Sequence, residues 1–423
     1  MKPDNQSDEE PETVPIVGDV IGNTVYSERF VLKILLKLAN LDTLKDEIKE
    51  KSFEDDICSL WDMTTEKDVV LFLLKHDVLN LFNFALPSIE SPRFIEIIIG
   101  LIGNMCCHRE TLASLFKMNN FITFIMDYIK SDDTMILIQV LRLFSACLFL
   151  FNDEEMGIFM ELVKTTEYSK PLYFILKNSV NKDLLMTALE NFNTICSYCN
   201  TGKYQNEFFN NFIILEALDS VTTGFSEIMN QKDSCEREDI ERAIVITVQI
   251  ILNLIDFDKS IEMYNDYKEN IVNTIEVIFN YYDDKLVNEK EIDTSFCDIL
   301  DSSNKILNSL NINENCSPDK YFIQAHNIWK AVNVEKLDAD TPEFEEDIPG
   351  LIEFSKQINP HLSVLLCGYM KNCKENDLFK VFNVIRNEYK DILSTVSDKE
   401  LQREVSNRTV DYRTRLKESV QFQ

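Results

Sequence analysis

At 423 residues and 45% hydrophobic, the chain is long enough to bury one or more substantial cores. Its formal charge of −30, from 72 acidic against 42 basic side chains, repels a phosphate backbone or an anionic membrane surface and so excludes nucleic acid and membrane as primary partners. Nine glycines and ten prolines are too few turn residues for a many-stranded β fold, which leaves long helices joined by short polar turns. The acidity fits a basic protein partner, although solubility of an extended helical array accounts for it first.

Residues 1–17 are acidic, proline-punctuated and poor in apolar side chains, and a disordered tail is expected there. No apolar core of a secretory signal occurs in this stretch. From Ser27 to Ala39, Phe30, Val31, Ile34, Leu35 and Leu38 fall on one helical stripe, with Ser27 placed to cap it. Helices are predicted next over Ser52–Met63, Thr65–Lys75 and Val78–Leu86. Pro87 ends the last of these, and Pro92 opens the following one, where proline is tolerated.

The helix that Pro92 opens, PRFIEIIIGLIGNMCC, is the first of a series. With Gly100 as anchor, similar apolar patterns return around Arg142, Asn191, Gln249 and Lys305, at steps of 42, 49, 58 and 56 residues. Armadillo and HEAT repeats take roughly 40 to 47 residues, so the first step fits and the later ones need inserted chain. The predicted fold is an all-α, armadillo/HEAT-like α-solenoid of irregular helical repeats. Acidic clusters at Asp132–Asp133, Asp153–Glu155 and Glu236–Asp239 sit where first turns are expected and complement helix dipoles. Glu236–Asp256 is predicted as one long helix with Ile240, Ala243, Ile244, Thr247, Ile251 and Leu254 inward, and Ile261–Tyr282 as another. The repeat domain then spans residues 18–337. An acidic loop follows at 338–349, and 350–423 caps the same solenoid.

No catalytic, cofactor-binding or metal-ligating set is expected. GxGxxG, GxxxxGK[ST] and GxSxG are absent, and none of His76, His108, His326 and His361 has metal-ligand spacing. Eleven cysteines are scattered without a disulfide framework. Cys58, Cys106, Cys107, Cys147, Cys196 and Cys297 lie in apolar helical patterns, as core thiols in a reducing compartment such as the cytosol or nucleus would. Cys196 and Cys199 form a lone CxxC at a helix end, better read as packing than as redox chemistry. The apolar stretches fall well short of the roughly 20 residues that a bilayer requires.

A side-chain amide can both donate to and accept from an extended peptide, as asparagines do along the inner helices of peptide-binding armadillo proteins. GLIGNMC resembles such a helix, with Asn104 at the amide position. Carried along the repeat steps, the equivalent residues are Asn104, Ala146, Ile195, Asn253 and Ser309, so only Asn104 and Asn253 qualify. Gly100 stands where those proteins place a tryptophan. The competing reading is that Asn104 braces one repeat against the next.

Two blocks carry a more specific signal. Gly18–Leu38 holds GDxIGxTVYS, and Cys58–Cys106 holds Trp61-Asp62-Met63, a DVxLFL helix at Asp68–Leu73 and PR…GxxGNM. In order and spacing these resemble the serum amyloid A-like protein family. The resemblance implies an armadillo-like fold, a largely nuclear location with the cytosol as a second place, and a non-enzymatic part in cell proliferation and cell-cycle progression. It supplies no catalytic residues. Trp61 and Tyr26 are expected either to plug an open solenoid end or to form a partner's docking patch. Trp61, Asn104 and Asn253 are thus the candidate partner-binding residues of a monomeric scaffold for protein partners.

Overall fold

The computed structural model describes residues 19–200, 202–333, 348–386 and 388–421. The expected tail, 1–17, lies outside the described residues. So does the expected loop at 338–349, apart from Ile348 and Pro349, which open a helix. Among the described residues every regular element is helical, and the chain folds as an all-α solenoid of irregular helical repeats. It divides into two compact units, residues 1–162 and 163–423.

The first unit contains α1 (Glu28–Ala39), α2 (Leu41–Glu47), α3 (Lys51–Met63), α4 (Lys67–Lys75), α5 (Val78–Ala85), α6 (Pro92–Met105), α7 (Arg109–Leu115), α8 (Asn119–Asp127) and α9 (Thr134–Leu148). The next helix, α10 (Asp153–Thr166), carries the division. The expected local signals operate. Ser27 Oγ accepts from the Phe30 amide at 3.2 Å, and Val31, Ile34, Leu35 and Leu38 are buried. Pro92 occupies the first turn of α6. Asp133 caps α9 by accepting from the Met135 and Ile136 amides. α3 packs on α6 and α6 on α9, so α6 is enclosed, with Phe94 through Ile102 all buried.

The second unit contains α11 (Ser169–Asn178), α12 (Lys182–Cys199), α13 (Gln205–Phe212), α14 (Leu215–Asn230), α15 (Arg237–Leu254), α16 (Asp258–Met263), α17 (Lys268–Asp283), α18 (Phe296–Ser309), α19 (Phe322–Val332), α20 (Ile348–Asn372), α21 (Glu375–Val384), α22 (Tyr389–Thr395) and α23 (Lys399–Gln421). Two rows of helices make up its core. One runs α12, α15, α18, α20 and the other α11, α14, α17, α19, each helix packing on the next in its row. The anchors Asn191, Gln249 and Lys305 fall on α12, α15 and α18. The long steps between them are taken up by α13 and α16, which stand outside both rows, and by the chain between α17 and α18.

The expected helix Ile261–Tyr282 is broken. α16 ends at Met263, and a tight 3-10 turn at Asn265–Tyr267 precedes α17. Tyr264 at the break is fully buried and its hydroxyl donates to the Ile214 carbonyl at 3.0 Å. The apolar spacing runs through the break because both helices face the same core, so periodicity alone cannot register it. After α17 a wide π turn, Asp284–Asn288, buries Lys285 beside Glu241 and, at 2.7 Å, Asp293. Burial disfavours its charge, but the hydrogen bonds to Asp293 and Glu241 outweigh this and hold the lysine above its usual range.

Candidate functional site

The candidate residues lie on two helix seams, one in each unit. At the seam between α3 and α6, Trp61 is partly buried against Gly100. A Cβ on Gly100 would come within 2.1 Å of the Trp61 ring. The indole that was missing at position 100 therefore arrives from the neighbouring helix. Asn104, one turn later, donates through Nδ2 to the Trp61 carbonyl at 3.3 Å and to Thr64 Oγ1 at 3.2 Å. It braces α6 against the end of α3, and its donor is engaged. Trp61 fills the space between α3 and α6, and α1 packs on α3.

The other residues of the two sequence blocks are interlocked with this seam. Asp19 accepts from Ser27 Oγ at 2.9 Å and from the Arg29 amide at 2.9 Å, which secures the entry to α1. These bonds hold its carboxyl below the usual range. Gly22 has φ +54°, a left-handed conformation that glycine takes without strain, and its Cα packs against Asp68 of α4. Asp68 in turn accepts from the Asn23 amide at 2.9 Å. Arg93 joins Glu96 at 2.8 Å and Glu54 at 3.3 Å, tying the start of α6 to α3. The blocks thus form one structural wall, built by steric fit and internal hydrogen bonds.

At the seam between α12 and α15 the second candidate, Asn253, sits among amides. Its Oδ1 accepts from Asn200 Nδ2 at 3.1 Å, and its Nδ2 donates to the Gln249 carbonyl one turn back at 2.9 Å. One step along, Asn193 Nδ2 donates to Gln249 Oε1 at 3.1 Å, and Arg242 pairs with Glu190 at 3.2 Å. A strip of polar pairs therefore crosses the seam: Glu190 with Arg242, Asn193 with Gln249, Asn200 with Asn253. Asn193 Oδ1 and Asn200 Oδ1 are themselves buried and have no hydrogen-bond partner. Ile195, the repeat equivalent of Asn253, is fully buried, and Asn253 meets Asn200 across the seam. An irregular repeat shifts the register of facing residues by more than a turn. A usable signal was nonetheless present: Asn193 and Asn200 are seven residues apart and Gln249 and Asn253 four, spacings that put each pair on one helix face.

The thiols are not poised for chemistry. Burial pushes Cys199 up to about 12 and Cys196 well above its ordinary value, the opposite of an activated thiolate. Cys147 is raised likewise by burial and by its bond with Cys106. Cys107, expected in the core, is exposed because it follows the last turn of α6, and Cys58 and Cys297 are only partly buried. His361 pairs with Asp301 at 2.7 Å, and His326 stacks on Trp329 with ring centroids 6.3 Å apart. Among the described residues no group of three or more His, Cys, Asp or Glu side chains could hold a metal ion, and no single helix is long and apolar enough to cross a membrane.

Compared with models of known protein families, the chain matches none. The crystal structure of an engineered protein aligns over 90% of this chain and 93% of its own at 13% identity, with a TM-score of 0.42, a likeness too loose to carry an argument. Against curated proteins the chain is 30% identical over 185 residues to Protein SAAL1 of Homo sapiens, covering 41% of this chain and 39% of the human one. Protein SAAL1 of Mus musculus gives 30% over 186 residues, with 41% and 39% covered. Protein saal1 of Danio rerio gives 26% over 182 residues, with 41% and 38% covered. The chain thus spans about two-fifths of the length of these relatives, and over that part its homologues are proteins named SAAL1.

Proposed function

We propose that the protein is a non-enzymatic scaffold of the serum amyloid A-like family, whose stacked helices bind protein partners in support of cell proliferation and cell-cycle progression. The nucleus is its main place of action and the cytosol a second. The observation that carries the binding role is the amide strip between α12 and α15, where Gln249 is exposed and Asn193 and Asn253 are partly exposed. Side-chain amides offer both donor and acceptor to a peptide backbone. In the first unit the exposed part of Trp61 is a second contact, and Asn104 supports it. The proliferation role rests on the family resemblance alone.

The test is retention of proteins from nuclear extract by immobilised full chain. A defined set held by the wild type and lost in Asn193→Ala with Asn253→Ala supports the reading. Turnover of a metabolite by the purified protein, or retention indifferent to both substitutions, overturns it. A second reading is favoured by the net charge of −30: a nuclear transport adaptor that takes basic peptide cargo on an acidic face. It requires a lysine-rich peptide to bind with an affinity that falls steeply with salt.

A further inference from the structure

Outside the amide strip, on the other row of the second unit, α14 packs on α17 and the two enclose a cleft of about 390 Å³. Helical spacing builds its walls. Thr223, Ser226, Glu227 and Asn230 fall on one face of α14, and Asn270 and Asn273 on one face of α17. Phe225 and Val277 add apolar surface. Ser226, Asn230 and Asn273 are exposed, and Thr223, Glu227 and Asn270 partly so, which leaves both walls open to a ligand. Glu227 is the one charged group among the described residues that line the cleft, and the other polar groups are neutral hydroxyls and amides.

Two more carboxylates on these helices are tied to the lining residues, and each already holds a cation. Asp219 of α14 pairs with Lys177 at 2.5 Å and accepts from Asn270 Nδ2 at 3.1 Å. Glu276 of α17 pairs with Lys320 at 2.8 Å, and the same ammonium donates to Asn273 Oδ1 at 3.2 Å. A carboxylate and an amide oxygen three residues apart on one helix thus already make a seat for a cation. Glu227 and Asn230 repeat that spacing on α14. Glu227, however, accepts from the neutral Gln231 amide at 2.8 Å, and no cation pairs with it among the described residues.

We propose that this cleft receives an arginine side chain from a basic protein partner. The guanidinium pairs with Glu227 and shares its remaining N–H groups among the oxygens of Ser226, Asn230 and Asn270, while its methylene stem lies along Phe225 and Val277. In a chain of net charge −30, a carboxylate without a cation draws one from outside. Arginine suits the cleft better than lysine, because its planar fork presents donors to both walls at once, whereas an ammonium is a compact, strongly hydrated point charge. The proposal rests on the reading of the chain as a scaffold for a basic partner, and not on the amide strip.

The experiment is fluorescence anisotropy of the full chain with a labelled Lys-Ala-Arg-Ala-Lys peptide and its counterparts carrying lysine or uncharged citrulline at the centre. The arginine peptide should bind best, roughly fivefold tighter than the lysine one, as one added hydrogen bond to a neutral acceptor allows. Glu227→Gln keeps an oxygen for the Gln231 amide and so leaves the fold intact. It should weaken the arginine peptide about tenfold, as loss of a bond between charged groups does, and bring it level with citrulline. Asn230→Ala, at an exposed position, should cost the arginine peptide about threefold and the lysine peptide less. Asn193→Ala with Asn253→Ala should leave this binding untouched, which separates the cleft from the strip. Salt-sensitive binding of the arginine peptide that is indifferent to Glu227→Gln overturns the cleft and leaves the basic partner standing. Binding of citrulline as tight as arginine to the wild type also overturns the cleft, and absence of saturable binding by all three peptides overturns both.

Discussion

At the seam between α3 and α6 an indole closes on a glycine, whereas at the seam between α12 and α15 side-chain amides meet across the helices and leave acceptors over. The first seam is specified by shape. Gly100 has no side chain, Trp61 fills the space, and Asn104 engages its amide donor on the same neighbour. The second seam is specified by hydrogen bonding, and its polar groups outnumber their mutual partners. A seam of the first kind resists substitution because close-packed atoms have nowhere to go. A seam of the second kind tolerates it better, because an exposed amide can replace a lost partner with water.

The largest expected effect lies where the second unit departs from its own polar tolerance. Lys285 is 3% exposed, and its ammonium is held by Glu241 and Asp293. Lys285→Met leaves Asp293 without its cation and takes one of two from Glu241, which keeps Arg237 at 3.3 Å, and a loss of about 3 kcal/mol is expected in a urea titration. The acid limb should change as well. Burial raises the Asp293 carboxyl, but the bonds from Lys285 and Ser295 outweigh it and hold the group below its usual range. A folded-state value below the unfolded one contributes stability above the ordinary carboxylate range, and that stability is lost as pH falls through the folded value. Wild type should therefore lose stability on acidification below about pH 4, where an ordinary aspartate titrates, and Lys285→Met should lose less. An unchanged acid limb would remove Lys285 as its cause.

Next in size is the shape-closed seam itself. Gly100→Ala sets a methyl carbon 2.1 Å from the Trp61 ring, and overpacking of this kind costs about 1–3 kcal/mol. Adding Trp61→Ala should recover part of that loss, since the clash has then gone. Additive losses in the double-mutant cycle would mean that the two residues do not share a space.

The smallest effects separate the two amide positions. Asn104→Ala removes the donor shared by the Trp61 carbonyl and Thr64, with an expected cost of about 1 kcal/mol. Asn193→Ala breaks an exposed bond to Gln249 and should stay within about 0.5 kcal/mol. Equal costs at the two positions would dissolve the contrast between the seams.

Much of this architecture can be read in the residues. The cap at Ser27, the opening at Pro92 and the inward stripe of α15 follow from local rules and are found in place, whereas Asp133, expected in a first turn, stands one residue earlier as the N-cap of α9. The break at Tyr264 and the π turn at Lys285 are not legible, because each is stabilised by a partner distant in sequence, Ile214 in one case and Glu241 in the other. The candidate site divides in the same way. Trp61, Asn104 and Asn253 could be singled out as residues, but the partners that define their surroundings, Gly100 for one and Gln249 and Asn200 for another, depend on how irregular repeats align.

By itself the sequence determined that this chain is helical, that its helices recur, and where their apolar faces lie, since hydrophobic spacing and caps act within a few residues of one another. Only the tertiary structure decided what those helices hold between them. The inserted helix α13 shifts the register of α15 against α12 and so decides that Asn200 meets Asn253, while the packing of α3 on α6 decides that Trp61 meets Gly100.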